Sequence, residues 1–425
     1  MYHNLICQFR LTLFAASMLF LLFLRVTSLE GEEPEQPLPE PLTIAAAKHQ
    51  MGNAQSVAVS PDGSLVAAAY GGASNGRFPL KPTDGGIAVW KTDTGERVQF
   101  IGEYGDIVSL AFTADNKSLL YGRIYTPGDS VDDNVIVLAD VDSGKLLQRW
   151  WRQGRDYVCD ASPTTDLLLL ENGTNICQLL SITDVRAGKL EGTLLKFDDS
   201  YSSRCLAFAP DGEFFAAVHG ILEPAFDGDG AVKPNVKLIR NKGLTLFSAD
   251  KSATLKRIVS DDLLDCTAVT VSPAGKWIAT GHKQGVVRIW NGKDQTPTYK
   301  LSLPTEAYVR PVFSPDGSQL AVLTQAAASR TWKYAETPSG FEFGERQDGA
   351  TCEVIFYETE SFKPVRHWRF PDGVFRIWHA NRPLASLNPQ RIAFSPDGKQ
   401  LLIGAGGVTL LDIETGKTVR QFDVE

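Results

Sequence analysis

The sequence predicts an all-β fold, a seven-bladed β-propeller of four-stranded antiparallel blades, and three observations carry that prediction. First, residues 266–303 contain four short runs rich in β-branched, aromatic or small apolar residues: Ala268–Ser272, Trp277–Gly281, Val286–Trp290 and Thr298–Leu303. Gly, Pro, Asn or Asp bounds each run, so the stretch reads as one antiparallel meander. Second, the turn after its first run recurs. Ser-Pro-Asp-Gly stands at Ser60–Gly63, Ser314–Gly317 and Ser395–Gly398, Ala209–Gly212 differs by one residue, and Thr113–Asn116 and Ser162–Thr165 are weaker echoes. With Ser272-Pro273-Ala274-Gly275 these mark seven units. Pro presets φ at the second turn position and Gly tolerates φ > 0 at the end. A lone sheet of four strands is marginal in water, so the units need one another. Third, the strand before each turn alternates. Val59, Phe112, Phe208, Val271, Phe313 and Phe394 stand one residue before it, and the small Ala58, Ala111, Ala207, Thr270 and Ala393 stand two before. Successive strand residues face opposite ways, so this strand is buried on both sides. Blades stacked radially, bulky face against small face, produce that pattern.

From about Gln55 to Glu425 the chain resembles the WD40-repeat β-propellers, in a degenerate form like that of bacterial-type exported members. The resemblance rests on the repeated strand–turn–strand unit and on Trp closing the third strand in Ile87–Trp90 and Val287–Trp290. Turns such as Asp93-Thr94-Gly95, Asp142-Ser143-Gly144 and Glu414-Thr415-Gly416 lead into fourth strands in the same manner. Elsewhere Leu138, Phe247, Tyr357 or Leu411 holds the Trp position, and the family's Gly-His pair has only His49 as a remnant. Gln284 stands where the resemblance implies a structural Asp, so the family's His–Asp–Trp hydrogen-bond network is expected to be incomplete.

Taken in order, residues 1–28 read as a signal peptide or signal anchor. Arg10 precedes the apolar run Leu11–Leu24, which is short for a spanning helix, and Val26-Thr27-Ser28 offers a cleavage site. Residues 29–41 form an acidic, Pro-rich linker, since Pro favours extended chain and lacks a donor N–H. The propeller is expected over 42–425, in units at 55–102, 107–151, 157–199, 203–260, 266–303, 309–370 and 390–425. Leu42–Ala47 and Thr418–Phe422 compete to be the outer strand of the last unit. Composition agrees with a folded domain, at 43% hydrophobic and 22% charged. The net charge of −8 becomes −10 without the leader, whose only charges are Arg10 and Arg25, and this acidity disfavours nucleic acid and anionic membrane surfaces.

Unit lengths differ through insertions at Gly71–Gly85, Arg123–Asn134, Gly220–Lys242 and Gln325–Ala350, and in the connection Pro371–Pro389. In an up-and-down sheet, second-to-third turns and blade-to-blade connections share one face of the ring. All these inserts fall there, which marks one decorated face as the expected binding face. Its aromatic and basic content concentrates in two neighbouring inserts. Trp332, Tyr334, Phe341, Phe343 and Arg346 come from the first, and Phe375, Arg376, Trp378, His379 and Arg382 from the second. Trp, Tyr and Arg dominate interface energetics, so these ten residues are the candidate partner-binding set. The same rings could instead pack on one another to hold the loops, and Gly373–Trp378 resembles an extra strand.

Other motifs do not carry chemistry. Gly72-Ala73-Ser74-Asn75-Gly76 matches a nucleophile elbow, but Pro79 and Pro82 forbid the helix that must follow. Asp227-Gly228-Asp229-Gly230 begins like a calcium loop, yet no bidentate Glu follows. The histidines are scattered, with no zinc or haem spacing, and His219 and His282 read as structural caps of second strands. Cys159, Cys177, Cys205, Cys266 and Cys352 read as buried thiols, with a Cys159–Cys205 bond as the alternative. The expectation is therefore an exported, non-catalytic scaffold (periplasmic, cell-envelope or secreted) that binds a protein and has no metal, cofactor or catalytic residue. It would touch a membrane only through an uncleaved leader. An enzyme or small-ligand binder using the central channel is the alternative, and a structural part of a cell-envelope assembly is a third reading.

Overall fold

A computed structural model describes residues 37–44, 54–70, 85–103, 106–124, 135–151, 159–171, 176–196, 200–226, 232–250, 253–264, 266–294, 296–303, 307–326, 334–337, 340–343, 352–370, 391–404 and 407–423. The chain divides into two units, Met1–Leu38 and Pro39–Glu425, and every described strand belongs to the second. It opens with the two-residue strand β1 (Leu42–Thr43). Blade 1 is β2 (Ala54–Val59), β3 (Leu65–Tyr70), β4 (Gly86–Lys91) and β5 (Arg97–Gly102); blade 2 is β6 (Asp106–Phe112), β7 (Ser118–Ile124), β8 (Val135–Asp140) and β9 (Leu146–Trp151). Blade 3 is β10 (Cys159–Ala161), β11 (Leu167–Glu171), β12 (Ile176–Ser181) and β13 (Thr193–Lys196); blade 4 is β14 (Ser200–Phe208), β15 (Phe214–Phe226), β16 (Val232–Ser248) and β17 (Ala253–Val259). Blade 5 is β18 (Cys266–Val271), β19 (Trp277–His282), β20 (Val286–Asn291) and β21 (Pro297–Ser302). Blade 6 is β22 (Ala307–Phe313), β23 (Gln319–Ala326), β26 (Cys352–Glu358) and β27 (Pro364–Phe370), with the hairpin β24 (Tyr334–Thr337) and β25 (Gly340–Phe343) inserted between its second and third strands. Blade 7 is β28 (Ile392–Phe394), β29 (Gln400–Gly404), β30 (Val408–Asp412) and β31 (Thr418–Phe422). The seven four-stranded antiparallel blades are those the sequence predicts.

Side-chain size packs the blades as the alternation requires. Ala58 of blade 1 shares a core with Phe112 of blade 2, Ala207 of blade 4 with Val271 of blade 5, and Ala393 of blade 7 with Val59 of blade 1. Burying a ring such as Phe112 contributes roughly 1.5–3 kcal/mol, and the pattern repeats around the circle. Leu138, Phe247, Tyr357 and Leu411, which replace Trp in third strands, are all buried, so shape at that position matters more than the indole.

The Ser-Pro-Asp-Gly turns are built twice over. Within a turn, Ser60 Oγ donates to Asp62 Oδ1 (2.7 Å) and accepts from Leu65 N (2.9 Å), while Asp62 Oδ1 accepts from Ser64 N (2.9 Å). The same bonds recur at Ser314–Asp316 and Ser395–Asp397. Between turns, each glycine seats the proline of the preceding blade. A Cβ on Gly317 would stand 3.1 Å from Pro273, and one on Gly63 3.3 Å from Pro396, where φ values of +72° and +73° already demand glycine. The degenerate turns find substitutes. Asp62 N donates to Asn116 Oδ1 (3.3 Å), Thr164 Oγ1 donates to the Asp211 carbonyl (2.6 Å), and Ala274 N donates to Asp211 Oδ2. Between blades 2 and 3, Arg186 reaches Asp115 (2.5 Å) and Ser118 (2.7 Å) from a short helix, α1 (Ile182–Arg186). That helix occupies the third-to-fourth connection of blade 3 and departs from the minimal turn expected on this face. Ser181 caps it, and Ile182 and Val185 bury into the blade 2–3 core.

Which terminus completes the ring is also settled. Thr418–Phe422 is the outer strand of blade 7, and Leu42–Thr43 runs parallel to β27 as a fifth strand of blade 6. Ile44 enters the blade 6–7 core, and the Pro39 carbonyl lies 3.1 Å from His367 Nδ1. Among the described residues, the seam between blades 7 and 1 therefore closes with no shared strand. Trp90 Nε1 donates to the Asp423 carbonyl (2.7 Å), Arg420 donates to the Thr94 carbonyl (2.9 Å), and Trp90 packs on Phe422.

Candidate functional site

Blade 4 shows how an insert leaves the ring. Its expected loop Gly220–Lys242 is largely strand: Ile221 pairs with Arg240, Leu222 with Ile239 and Glu223 with Leu238, so β15 and β16 continue as an antiparallel ribbon. Blade 6 places Tyr334 opposite Phe343, and Glu336 opposite Phe341, in the β24–β25 hairpin. Three of the ten candidate partner-binding residues, Tyr334, Phe341 and Phe343, are thus brought onto one hairpin by its backbone. The other seven (Trp332, Arg346, Phe375, Arg376, Trp378, His379 and Arg382) lie outside the described residues. So do the Gly72–Gly76 and Asp227–Gly230 motifs and the segment Gly373–Trp378. Both described extensions leave between second and third strands, which places them on one face of an up-and-down ring.

At the insert-bearing end of blade 5, the hydrogen-bond network forms from substitutes. Trp290 Nε1 donates to Thr280 Oγ1 (2.9 Å), the Thr280 hydroxyl donates to His282 Nε2 (2.8 Å), and His282 Nδ1–H donates to the Leu264 carbonyl (3.0 Å). This directional chain requires a neutral imidazole with its proton on Nδ1. His282 ends the second strand, so it reaches the network from a different place than the family pattern implies, and no carboxylate at Gln284 is needed. His219 occupies the matching end in blade 4, buried beside Thr245 Oγ1 (3.0 Å) and packed over Gly243, where a Cβ would clash with its ring. Burial, with the Arg257 charge assisting, pushes its pKa down to about 4. Both histidines are structural.

Sequence spacing missed the charged groups of the central channel. The innermost strands enclose about 450 Å³, lined by Ser109, Ala111, Asp160, Cys205, Thr267 and Arg310 among others, and the turn residues Pro61, Pro163, Pro210, Pro315 and Pro396 rim one mouth. Asp160 stands two residues before its turn, where the other blades place Ala, Thr or Val, and that exception was the available signal. Its Oδ2 accepts from Phe208 N (2.8 Å) and Oδ1 from Ala161 N (2.9 Å), yet burial pushes the carboxyl up to about 6. Burial likewise brings Arg310 down to about 10, against the opposing pull of Cys205 and Asp160.

Cys159, Cys177, Cys205, Cys266 and Cys352 are all buried free thiols, so no Cys159–Cys205 bond forms. Cys159 instead lies 3.1 Å from Ser109 Oγ, and burial pushes its thiol up to about 12. Among the described residues no three His, Cys, Asp or Glu side chains are grouped to hold a metal ion, and no helix is long and apolar enough to cross a membrane.

Seven radial blades, each four strands deep, define the class as a β-propeller. One repeat matches the WD40 type: the WD domain, G-beta repeat model fits residues 259–291, from the last residue of β17 through the third strand of blade 5. The chain is similar to the B-type cell cycle switch protein ccs52B of Medicago truncatula, 26% identical over 143 residues that make up 31% of this chain and 29% of that protein. It is also similar to Protein FIZZY-RELATED 3 of Arabidopsis thaliana, 25% identical over 143 residues, with the same coverage of 31% and 29%. The chain thus spans less than a third of the length of these curated relatives. WD40 propellers serve in general as protein-interaction scaffolds.

Proposed function

We propose that this chain is a non-catalytic scaffold that captures a protein partner on its insert-bearing face and works outside the cytoplasm. The observation that supports this reading most is the shared exit of the blade 4 ribbon and the blade 6 hairpin on one face of a rigid ring. A preorganised scaffold loses little freedom on association, so a few aromatic and Arg anchors suffice for affinity. Export rests on Arg10 and the apolar run that follows it.

The test is capture from extracts of the source cell, with thermal melting as the control for folding. Trp332→Ala and Trp378→Ala are expected to weaken capture at least about tenfold, equivalent to about 1.4 kcal/mol, while melting as the parent does. Undiminished capture by both variants would move the site elsewhere. Fractionation of cells with an antibody to the propeller tests export, and signal confined to the cytoplasm would contradict it.

A further inference from the structure

Two of the buried thiols meet across a seam between blades. Cys205 belongs to β14, the innermost strand of blade 4, and Cys266 to β18, the innermost strand of blade 5. Both are reduced and buried in one core that the two blades share. Cys205 stands two residues before Ala207, on the strand side that faces blade 5. Cys266 stands four residues before Thr270, a spacing that in a regular strand would turn it towards blade 6. The register shift between Cys266 and Ala268 reverses that direction and brings the side chain into the blade 4–5 core with Val269 and Val271. There the Cys266 thiol is hydrogen-bonded to Cys205.

The seam between blades 2 and 3 makes the comparison. Ser109 holds there the place that Cys205 holds in blade 4, four residues before the turn, and its hydroxyl lies 3.1 Å from the Cys159 sulfur. That contact joins sulfur to oxygen and cannot become a disulfide. Between blades 4 and 5 both partners are sulfur. Cys205 also lines the central channel of about 450 Å³, whose proline-rimmed mouth admits a molecule the size of hydrogen peroxide, and Cys266 is the more deeply buried of the two.

A peroxide can oxidise this pair with no other reagent. The Cys205 sulfur, as its thiolate, attacks one peroxide oxygen; an S–O bond forms, the O–O bond breaks, and the leaving hydroxide takes up the proton the thiol released. The Cys266 sulfur then attacks the sulfenic sulfur, the S–O bond breaks, and the oxygen leaves as water with the Cys266 proton. Two thiols give up two electrons, one peroxide accepts them, and two waters form.

We propose that Cys205 and Cys266 are an oxidation site, at which a peroxide entering the channel closes a disulfide that fastens blade 4 to blade 5. Cys266 pairs in the sheet with His282, so the bond lies towards the insert-bearing end, at the foot of the blade 4 ribbon. The other end of the seam is tied by Ala274 N, which donates to Asp211.

The test is treatment of the folded chain with hydrogen peroxide, alkylation of the remaining thiols in denaturant, and peptide mapping of the monomer. A Cys205–Cys266 linked peptide is expected, with the alkylation of both residues lost and then restored by dithiothreitol. The oxidised protein should melt at a higher temperature than the reduced one, since the bond closes a long loop of the unfolded chain. Cys205→Ser and Cys266→Ser should each abolish that rise. Both residues still alkylated after treatment overturns the proposal, as does a linked peptide that joins other cysteines in place of these. Cys205 carried on to sulfinic acid with Cys266 left free overturns it too, and an unchanged melting temperature in the linked protein overturns the fastening. The mapping uses the unaltered protein, so it decides the matter even where a variant fails to fold.

Discussion

On one face of the ring each blade grips the next through its turns: Gly63 on Pro396, Gly317 on Pro273, Asn116 on Asp62, Arg186 on Asp115. On the other, blade 4 raises a ribbon whose strands pair with each other, and among the described residues the two strands of the blade 6 hairpin, β24 and β25, pair with each other. The first face is assembled from contacts between blades, and the second from excursions that each blade supports alone. Stability is therefore concentrated where the loops are shortest. At the insert-bearing end the ring is held by buried groups such as His219 and His282, not by the excursions themselves.

The sharpest way to break that contrast is Gly317→Val. A β-branched residue must then hold φ near +72° with its Cβ against Pro273, which is expected to cost about 3–5 kcal/mol in denaturant unfolding. A loss under about 1 kcal/mol would show that the turn-to-turn contacts do not carry the ring. Next in size is a pair of opposed titrations. His219, with a folded pKa of about 4, sheds stability as pH falls from its unfolded value near 6.5 towards 4. Asp160, with a folded pKa of about 6, sheds stability as pH rises from 3.8 towards 6. Each amounts to at most about 3 kcal/mol, so the two nearly cancel between about pH 4 and 6. His219→Gln should leave stability falling with pH across that window, and Asp160→Asn should leave it rising. Flat profiles in both variants would contradict the burial of these groups.

Smaller still is Asp397→Ala. The Ser395 hydroxyl and the Lys399 N–H hold that carboxyl below its usual range, so its contribution is present at neutral pH and lost in acid. Discounted for solvent screening of this exposed carboxyl, a cost of about 1 kcal/mol at pH 7, shrinking below about pH 4, is expected from thermal melts. Smallest is replacement of the β24–β25 hairpin by a short Gly-Ser linker, expected to change stability by less than about 1 kcal/mol. A larger loss would mean that this face, too, holds the ring together.

The blades were legible because their signals are local. Pro and Gly set the turns, and one alternating strand before each turn reveals a sheet buried on both sides. The two-residue strand Leu42–Thr43 was not legible as a parallel partner of β27, because so short a run has no periodicity and its choice of blade depends on where Ile44 finds a groove. Helix α1 leaves only a short trace in the sequence, with Ser181 at the cap, Asp184 three residues on and Gly188 just beyond. His282 could not be assigned to the Trp290 network from spacing, since the Leu264 carbonyl that completes it comes from the preceding connection. In the channel, Asp160 was readable as the one acid among small residues. Its relation to Arg310 exists only once blades 3 and 6 face each other.

The position of Leu42–Ile44 also governs how the molecule responds to tension. Covalently the chain passes from this arm on blade 6 to the first strand of blade 1, while among the described residues the seam between blades 7 and 1 has no strand in common. A tug applied to the N-terminus is therefore taken up by the arm and its anchor Ile44 before any strain reaches the seam. The fastening works like a seat belt: it keeps a handle on the polypeptide from becoming a zipper for the circle.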